Sequence, residues 1–257
     1  PVSWWAQDMP PDEWAAEART AEAHGFTTMK VKARPWFDPD RQMAAVTAAI
    51  SPHFKMDMDF NGLLLGVDIA APLLTRLEQK YPNLAIFESP IPQDDIAGNA
   101  LLRKKIHSPI AMHMGTPPIM TAIREGVCDG FVISGGVNRV LHDGILAEKV
   151  GMPFWRQLVG TGLTTIFSVH QGAVLEQARW PAIPCINVYS HPLIKNLTVE
   201  GGHIPVPQEP GLGVELDWDA IEQFRVEPDF KKPVQRQIHT ILWPDGRKSH
   251  SPDGNYR

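Results

Sequence analysis

Cysteine is scarce: two residues in 257, Cys128 and Cys185, far apart and in no CxxC pattern. That excludes a disulfide framework and a zinc knuckle, and it fits a reducing, cytoplasmic setting. No apolar run reaches the roughly 18 residues a membrane helix needs, and the first residues lack a secretory-signal pattern. No membrane association is expected. Positive charge is not in excess either. Lys and Arg number 24 against 29 Asp and Glu, a net charge of -5, so no basic surface invites nucleic acid.

What is present is ordinary for a globular protein: 43% hydrophobic and 21% charged residues. The 24 prolines fall mostly between periodic segments, as in a domain with many short connections. The length suits one large domain or two small ones.

The pattern alternates. Strand candidates are 2–6, 27–33, 54–60, 84–90, 108–114, 128–134, 152–159 and 183–189. Helix candidates lie between each pair, at 10–25, 38–50, 66–81, 94–106, 117–126, 137–151 and 163–178. Gly25 closes the first helix and proline opens the fifth. Eight such units point to an α/β fold, a parallel (β/α)8 TIM barrel; an open doubly wound sheet reads similarly. The barrel is assigned to residues 1–195. From 196 the rhythm stops, and 196–257 are expected to be a C-terminal extension packing outside it.

Catalytic groups of such a barrel sit at the C-terminal strand ends. Here those ends carry Lys30 and Lys32, then Asp57, Asp59 and Asn61, then Glu88, His113, Arg156 and Gln157. Residues i and i+2 of a strand share a face, so Lys30 pairs in direction with Lys32 and Asp57 with Asp59. Carboxylates from adjacent strands suit a hard divalent cation. Two close ammonium groups are expected to lower each other's pKa, which makes a lysine a general base near neutral pH. Taken singly, each motif has a plain reading: KxK as a solvated strand end, DxDxN as a turn, His113 as a structural hydrogen-bonding residue. Their occurrence at successive strand ends favours a site. An aldolase-type barrel with a Schiff-base lysine is the unrelated alternative.

These residues resemble the enolase superfamily, in its mandelate racemase/muconate lactonizing branch. The likeness lies in "KVK" (30–32), "DMDFNG" (57–62), "FESPIP" (87–92), "SGG" (134–136) and "GGHIPVPQEPGLGVELD" (201–217). It implies a barrel under an N-terminal capping domain, which is expected to be missing from this chain. It also implies Mg²⁺-assisted removal of the proton alpha to a carboxylate of a small substrate. By this resemblance Lys32 is the base and Lys30 its tuning partner. Asp59 and Glu88 are metal ligands. His113 stands at the place of a third acid, which would admit Mn²⁺ as well as Mg²⁺. Asn61, Arg34, Gln157 and Tyr189 are substrate-contacting candidates, with Arg156 and His191 as further possibilities.

The chain departs from the racemase pattern. Strand six ends without an acid, Asp129 lying near its start, and Gln157 stands where a histidine base is expected. A one-base dehydration of a hydroxy acid or acid sugar follows, with racemisation less favoured. The competing expectation is a degenerate barrel with a binding or structural role. A homo-oligomer is expected.

Overall fold

The computed structural model describes residues 1–231 and, as backbone, the strands at 238–242 and 248–252. Seven parallel strands form one curled sheet in the order β1 to β7. They are β1 Trp4–Ala6, β2 Thr28–Lys32, β3 Lys55–Asp59, β4 Leu84–Glu88, β5 Ile110–His113, β6 Gly130–Ile133 and β7 Phe154–Arg156. The helices α1 Pro11–Ala23, α2 Pro39–Thr47, α3 Val67–Lys80, α4 Ile96–Arg103, α5 Ile119–Glu125, α6 Val137–Lys149 and α7 Gly162–Ala173 lie between and after them. Strand and helix alternate as the sequence indicates.

The expected eighth strand is shorter than its apolar pattern suggests. Residues 182 and 183 form only isolated parallel bridges, Ala182 to Val2 and Ile183 to Gln157. Backbone bonds still join both sides: Ile183 N donates to Arg156 O at 2.7 Å and Ser3 N to Ala182 O at 2.8 Å. Cys185 then takes a left-handed backbone, φ 52, and Ile186–Val188 wind into a 3₁₀ turn. A run of apolar residues cannot continue as strand once the backbone reverses twist.

Side-chain alternation makes two layers. Met29, Val31, Met56, Met58, Phe87, Met112, Phe131 and Phe154 point outward and pack under the helices with Trp14, Met43, Leu74, Leu77 and Val140. Ile86, Ala111, Val132, Trp155, Ile183 and Cys185 point inward and pack together with Trp5. Trp4, one residue away, faces the outer layer and meets Phe26 edge-on at 5.3 Å. The outer layer is the larger, and burial of its side chains stabilises by about 1.5–3 kcal/mol each.

Helix ends follow local chemistry. Asp38 caps α2 by accepting from Asp40 N, with Pro39 in the first turn, and Asp95 caps α4 by accepting from Gly98 N. After α1, Gly25 adopts φ +83, and a Cβ there would lie 2.2 Å from Val199 O.

Residues Pro1–Asp217 form one compact unit and Trp218–Arg257 another. Segment 196–217 therefore belongs with the barrel by contact. Its anchors include Gly202 N, which donates to Gly25 O at 2.7 Å, and Lys195 N, which donates to Glu215 O at 2.9 Å. The second unit contains α8 Trp218–Gln223 and the antiparallel pair β8 Ile238–Leu242 and β9 Lys248–Pro252. Among the described residues no helix is long and apolar enough to cross a membrane.

Gly25→Ala should destabilise the fold by more than the 1–2 kcal/mol of a left-handed alanine, because the methyl also displaces the Val199 carbonyl. Urea denaturation measures this; an unchanged midpoint would contradict the tight docking of 199–202 on α1.

Candidate active site

Strand register brings the polar strand ends together. Lys30 pairs with Asp57 and Lys32 with Asp59 across β2 and β3, and Asp59 pairs with Glu88 across β3 and β4. All five lie on the inward face, because their outward neighbours Met29, Val31, Met58 and Phe87 are in the outer core. The barrel interior at this level is polar, while the layer below it is the apolar cluster around Trp155.

Lys30 is 1% exposed. Its Nζ lies 2.5 Å from Glu88 Oε2 and 3.4 Å from Asp59 Oδ2, and it donates to Gln157 Oε1 at 3.0 Å. Three acceptors surround an ammonium that has three protons. The Trp155 ring lies beside it, 5.5 Å from Nζ to the centroid, adding a cation–π contact. Burial alone would depress this amine, but the charge of Glu88, and then of Asp59, outweighs it, so its pKa is raised. This reverses the expectation that Lys30 titrates low. At Lys30, carboxylates in direct contact outweigh the cost of burial.

Lys32 is different. Its side chain is 22% exposed, and its Nζ donates to Asp59 Oδ2 at 2.5 Å and to Asn61 Oδ1 at 3.1 Å. One N–H position remains open toward the mouth. Arg34 is tied to the same strand ends: its Nη2 donates to Asn61 Oδ1 at 2.7 Å and its Nη1 to Asp59 O at 3.3 Å. Asn61 itself takes a left-handed backbone, φ 47, and its N–H donates to Asp59 Oδ1 at 2.9 Å. A short polar side chain tolerates that conformation.

Glu88 is fully buried. Burial raises a carboxyl, but the Lys30 charge and the His113 contact hold this one down at about 2. Its oxygens touch Lys30 and, at 3.1 Å, His113 Nε2, without a well-directed hydrogen bond to either. His113 is fixed from behind: Gln93 Oε1 accepts its backbone N–H at 2.9 Å, and Gln93 Nε2 donates to Thr116 O at 2.8 Å. Nothing in "PIPQDD" marks a glutamine that clasps the next strand.

Asp57 lies one layer deeper. Both its oxygens are buried without a hydrogen-bond partner. Burial pushes its carboxyl up to about 7, against the attraction of Lys30 and with the repulsion of Glu88.

The structure gathers Lys30, Lys32, Arg34, Asp59, Asn61, Glu88, His113 and Gln157. It does not join Tyr189 to them: that residue is 39% exposed, and its backbone N–H turns to Ile186 O. Arg156 points away from the mouth. It is buried and donates to Gln171 Oε1 and to the carbonyls of Ile133 and Gly135, bracing β6 and β7 against α7. Asp129 sits at the opposite end of its strand and accepts from Arg103 Nε and Ile110 N. His191 accepts from Leu193 N through Nδ1, with Nε2 3.6 Å from Asp217. A cavity of about 640 Å³ lies elsewhere, between Ile166 and the 194–215 segment.

The donor set suits an oxygen-seeking divalent cation in two members. Asp59 and Glu88 face each other from paired positions, and the oxygens of Glu88 have no directed donor. A hard cation that keeps its waters needs only one or two carboxylates. His113 does not complete a ligand set: among the described residues no three His, Cys, Asp or Glu side chains are grouped to hold a metal.

Comparison with known proteins identifies the family and the fold. Residues 13–220 match the family described as enolase C-terminal domain-like. The chain is 28% identical over 207 residues to an N-succinylamino acid racemase of Amycolatopsis sp., covering 74% of this chain and 53% of that protein. It is 23% identical over 211 residues to an arabinonate dehydratase of Saccharolobus solfataricus, covering 78% and 56% respectively. It thus spans about half the length of the curated relatives it matches. A solved mandelate racemase/muconate lactonizing family protein from Azoarcus sp. EbN1 superposes with a TM-score of 0.71 at 26% identity, over 87% of this chain and 64% of that one.

Two outcomes follow from the charges. Lys30→Met strands Glu88 and is expected to destabilise by about 3–5 kcal/mol, far more than Lys32→Met; equal losses in urea denaturation would contradict the assignment. Asp57 binds its proton more tightly folded than unfolded. Its contribution is therefore present at low pH and lost as pH rises from about 4 toward 7. Wild type should gain thermal stability between pH 8 and pH 6 relative to Asp57→Asn; identical pH profiles would show that Asp57 ionises normally. With the fold, strand-end motifs and family match in agreement, the chain belongs to the enolase C-terminal domain-like family, in its mandelate racemase/muconate lactonizing branch.

Proposed function

We propose that this barrel removes the proton alpha to a carboxylate, with Lys32 as the base. The observation that carries this is the inequality of the two lysines. Lys30 is ion-paired to Glu88 and Asp59, donates a hydrogen bond to Gln157 and is buried from solvent. Lys32 is partly exposed, at 22%, and keeps one N–H position free. A base must reach the proton it takes, within about 3 Å or through one water. Lys30 acts as fixed positive charge beside it.

Asp59 and Glu88 are the residues that would hold Mg²⁺ or Mn²⁺, with His113 orienting Glu88. Such a cation would stabilise the negative charge that develops on the substrate carboxylate as the proton leaves. Asn61 positions the Lys32 amine, accepting one of its protons.

We favour dehydration of a hydroxy acid or acid sugar over racemisation. Gln157, engaged by Lys30, can donate a hydrogen bond but cannot carry a proton. The proton that Lys32 removes is then the one available to the departing hydroxyl, which leaves as water. Similarity to both a racemase and a dehydratase is consistent with the shared first step. The second reading is a barrel without turnover, and the ungrouped third ligand favours it.

Incubation of the Mg²⁺-loaded protein with acid sugars in D₂O tests the proposal. Exchange of the alpha proton should occur in wild type and fall by 10²–10⁴-fold in Lys32→Ala, the usual range for a general base. Exchange that persists in Lys32→Ala would assign the base elsewhere, and no exchange across a panel of acid sugars would favour the inactive barrel.

A further inference from the structure

Six side chains at the mouth of β2 to β4 form one string of contacts, in the order Glu88, Lys30, Asp59, Lys32, Asn61, Arg34. At the acid end charges alternate, and each ammonium has a carboxylate in contact. The other end is not balanced. Arg34 donates to Ala33 O at 3.1 Å, Asp59 O at 3.3 Å and Asn61 Oδ1 at 2.7 Å, all of them uncharged acceptors. Among the described residues no carboxylate forms an ion pair with it.

A guanidinium has five N–H donors and keeps its charge throughout the working pH range. Three of those of Arg34 are used, which leaves Nε–H and one Nη2–H. These two atoms share a carbon, the spacing that a carboxylate oxygen pair accepts two-pronged. The three tethers also fix the fork in place, so little side-chain freedom is lost when it is occupied. Lys32 and Arg34 meet on the same amide oxygen, so a group bound to Arg34 lies directly beside the base.

We propose that Arg34 seats a substrate carboxylate other than the one whose neighbouring proton is removed, so that the natural substrate is a diacid. This deepens the proposed function and rests on it in one respect. The reacting carboxylate belongs at the Asp59–Glu88 end, where a cation would be held. Lys32 stands between that end and Arg34, so the reacting carbon has an acid group on either side.

The experiment is calorimetric titration of the full chain with succinate and with its half-amide succinamate, each with and without Mg²⁺. Wild type with Mg²⁺ should bind succinate at least tenfold more tightly. Arg34→Gln should lose that preference and bind both probes alike. Arg34→Lys, which keeps a cation but not the fork, should fall between and serves if the glutamine variant does not fold. Equal affinity for the two probes in wild type, no binding of either, or a preference undiminished in Arg34→Gln or Arg34→Lys overturns the proposal. If the preference depends on Arg34 but Mg²⁺ changes nothing, the cation part of the proposed function fails and the Arg34 seat stands.

Discussion

A buried ammonium organises this barrel's mouth. Lys30 stands with 1% exposure between β2, β4 and β7, and a bare charge there would be expelled or neutralised. It survives because Glu88 and Asp59 compensate it, Gln157 Oε1 accepts a hydrogen bond from it and Trp155 lies alongside. The same contacts fix the partners. Glu88 is held ionised in a place that would otherwise protonate it. Asp59, already facing Lys30, receives Lys32 on the same oxygen. Removing the central cation would leave Glu88 buried without its ammonium, while Asp59 keeps Lys32.

The fold was readable because parallel strands covered on both sides are written as short apolar runs, and each helix between them has its own start and stop residues. Seven strands appear within a few residues of their expected places. The eighth did not follow its pattern. "IPCINVY" is apolar enough for a strand, yet the left-handed Cys185 turns it into a 3₁₀ segment after two bridged residues. Periodicity reports burial, and a buried irregular segment carries the same signal.

The site was legible to the extent that strand periodicity fixes direction. Alternation alone puts Lys30 with Lys32 and Asp57 with Asp59, and register then brings the two pairs and Glu88 together. What alternation cannot supply is depth. Lys30 and Lys32 look equivalent in "KVK", but one is locked and the other partly exposed, because β7 brings Gln157 and Trp155 to the deeper one. Arg156 and Gln157 are adjacent in sequence and point to opposite sides of the sheet, so only one reaches the mouth. Tyr189 misses the mouth because the strand expected to carry it ends early. A loop residue that accepts a neighbouring strand's amide, as Gln93 does, leaves no pattern in the sequence.

The division of labour between the two lysines is the claim on which the chemistry depends. Nitrogen-15 NMR of the lysine side-chain amines, assigned through the Lys30→Arg and Lys32→Arg variants, addresses it directly. Near pH 10.5, where an ordinary lysine is half titrated, the Lys30 resonance should remain that of a protonated ammonium with slowly exchanging protons. A Lys30 amine that loses its proton well below that pH would contradict the account, since the fixed charge beside Lys32 would then be absent when the base must act.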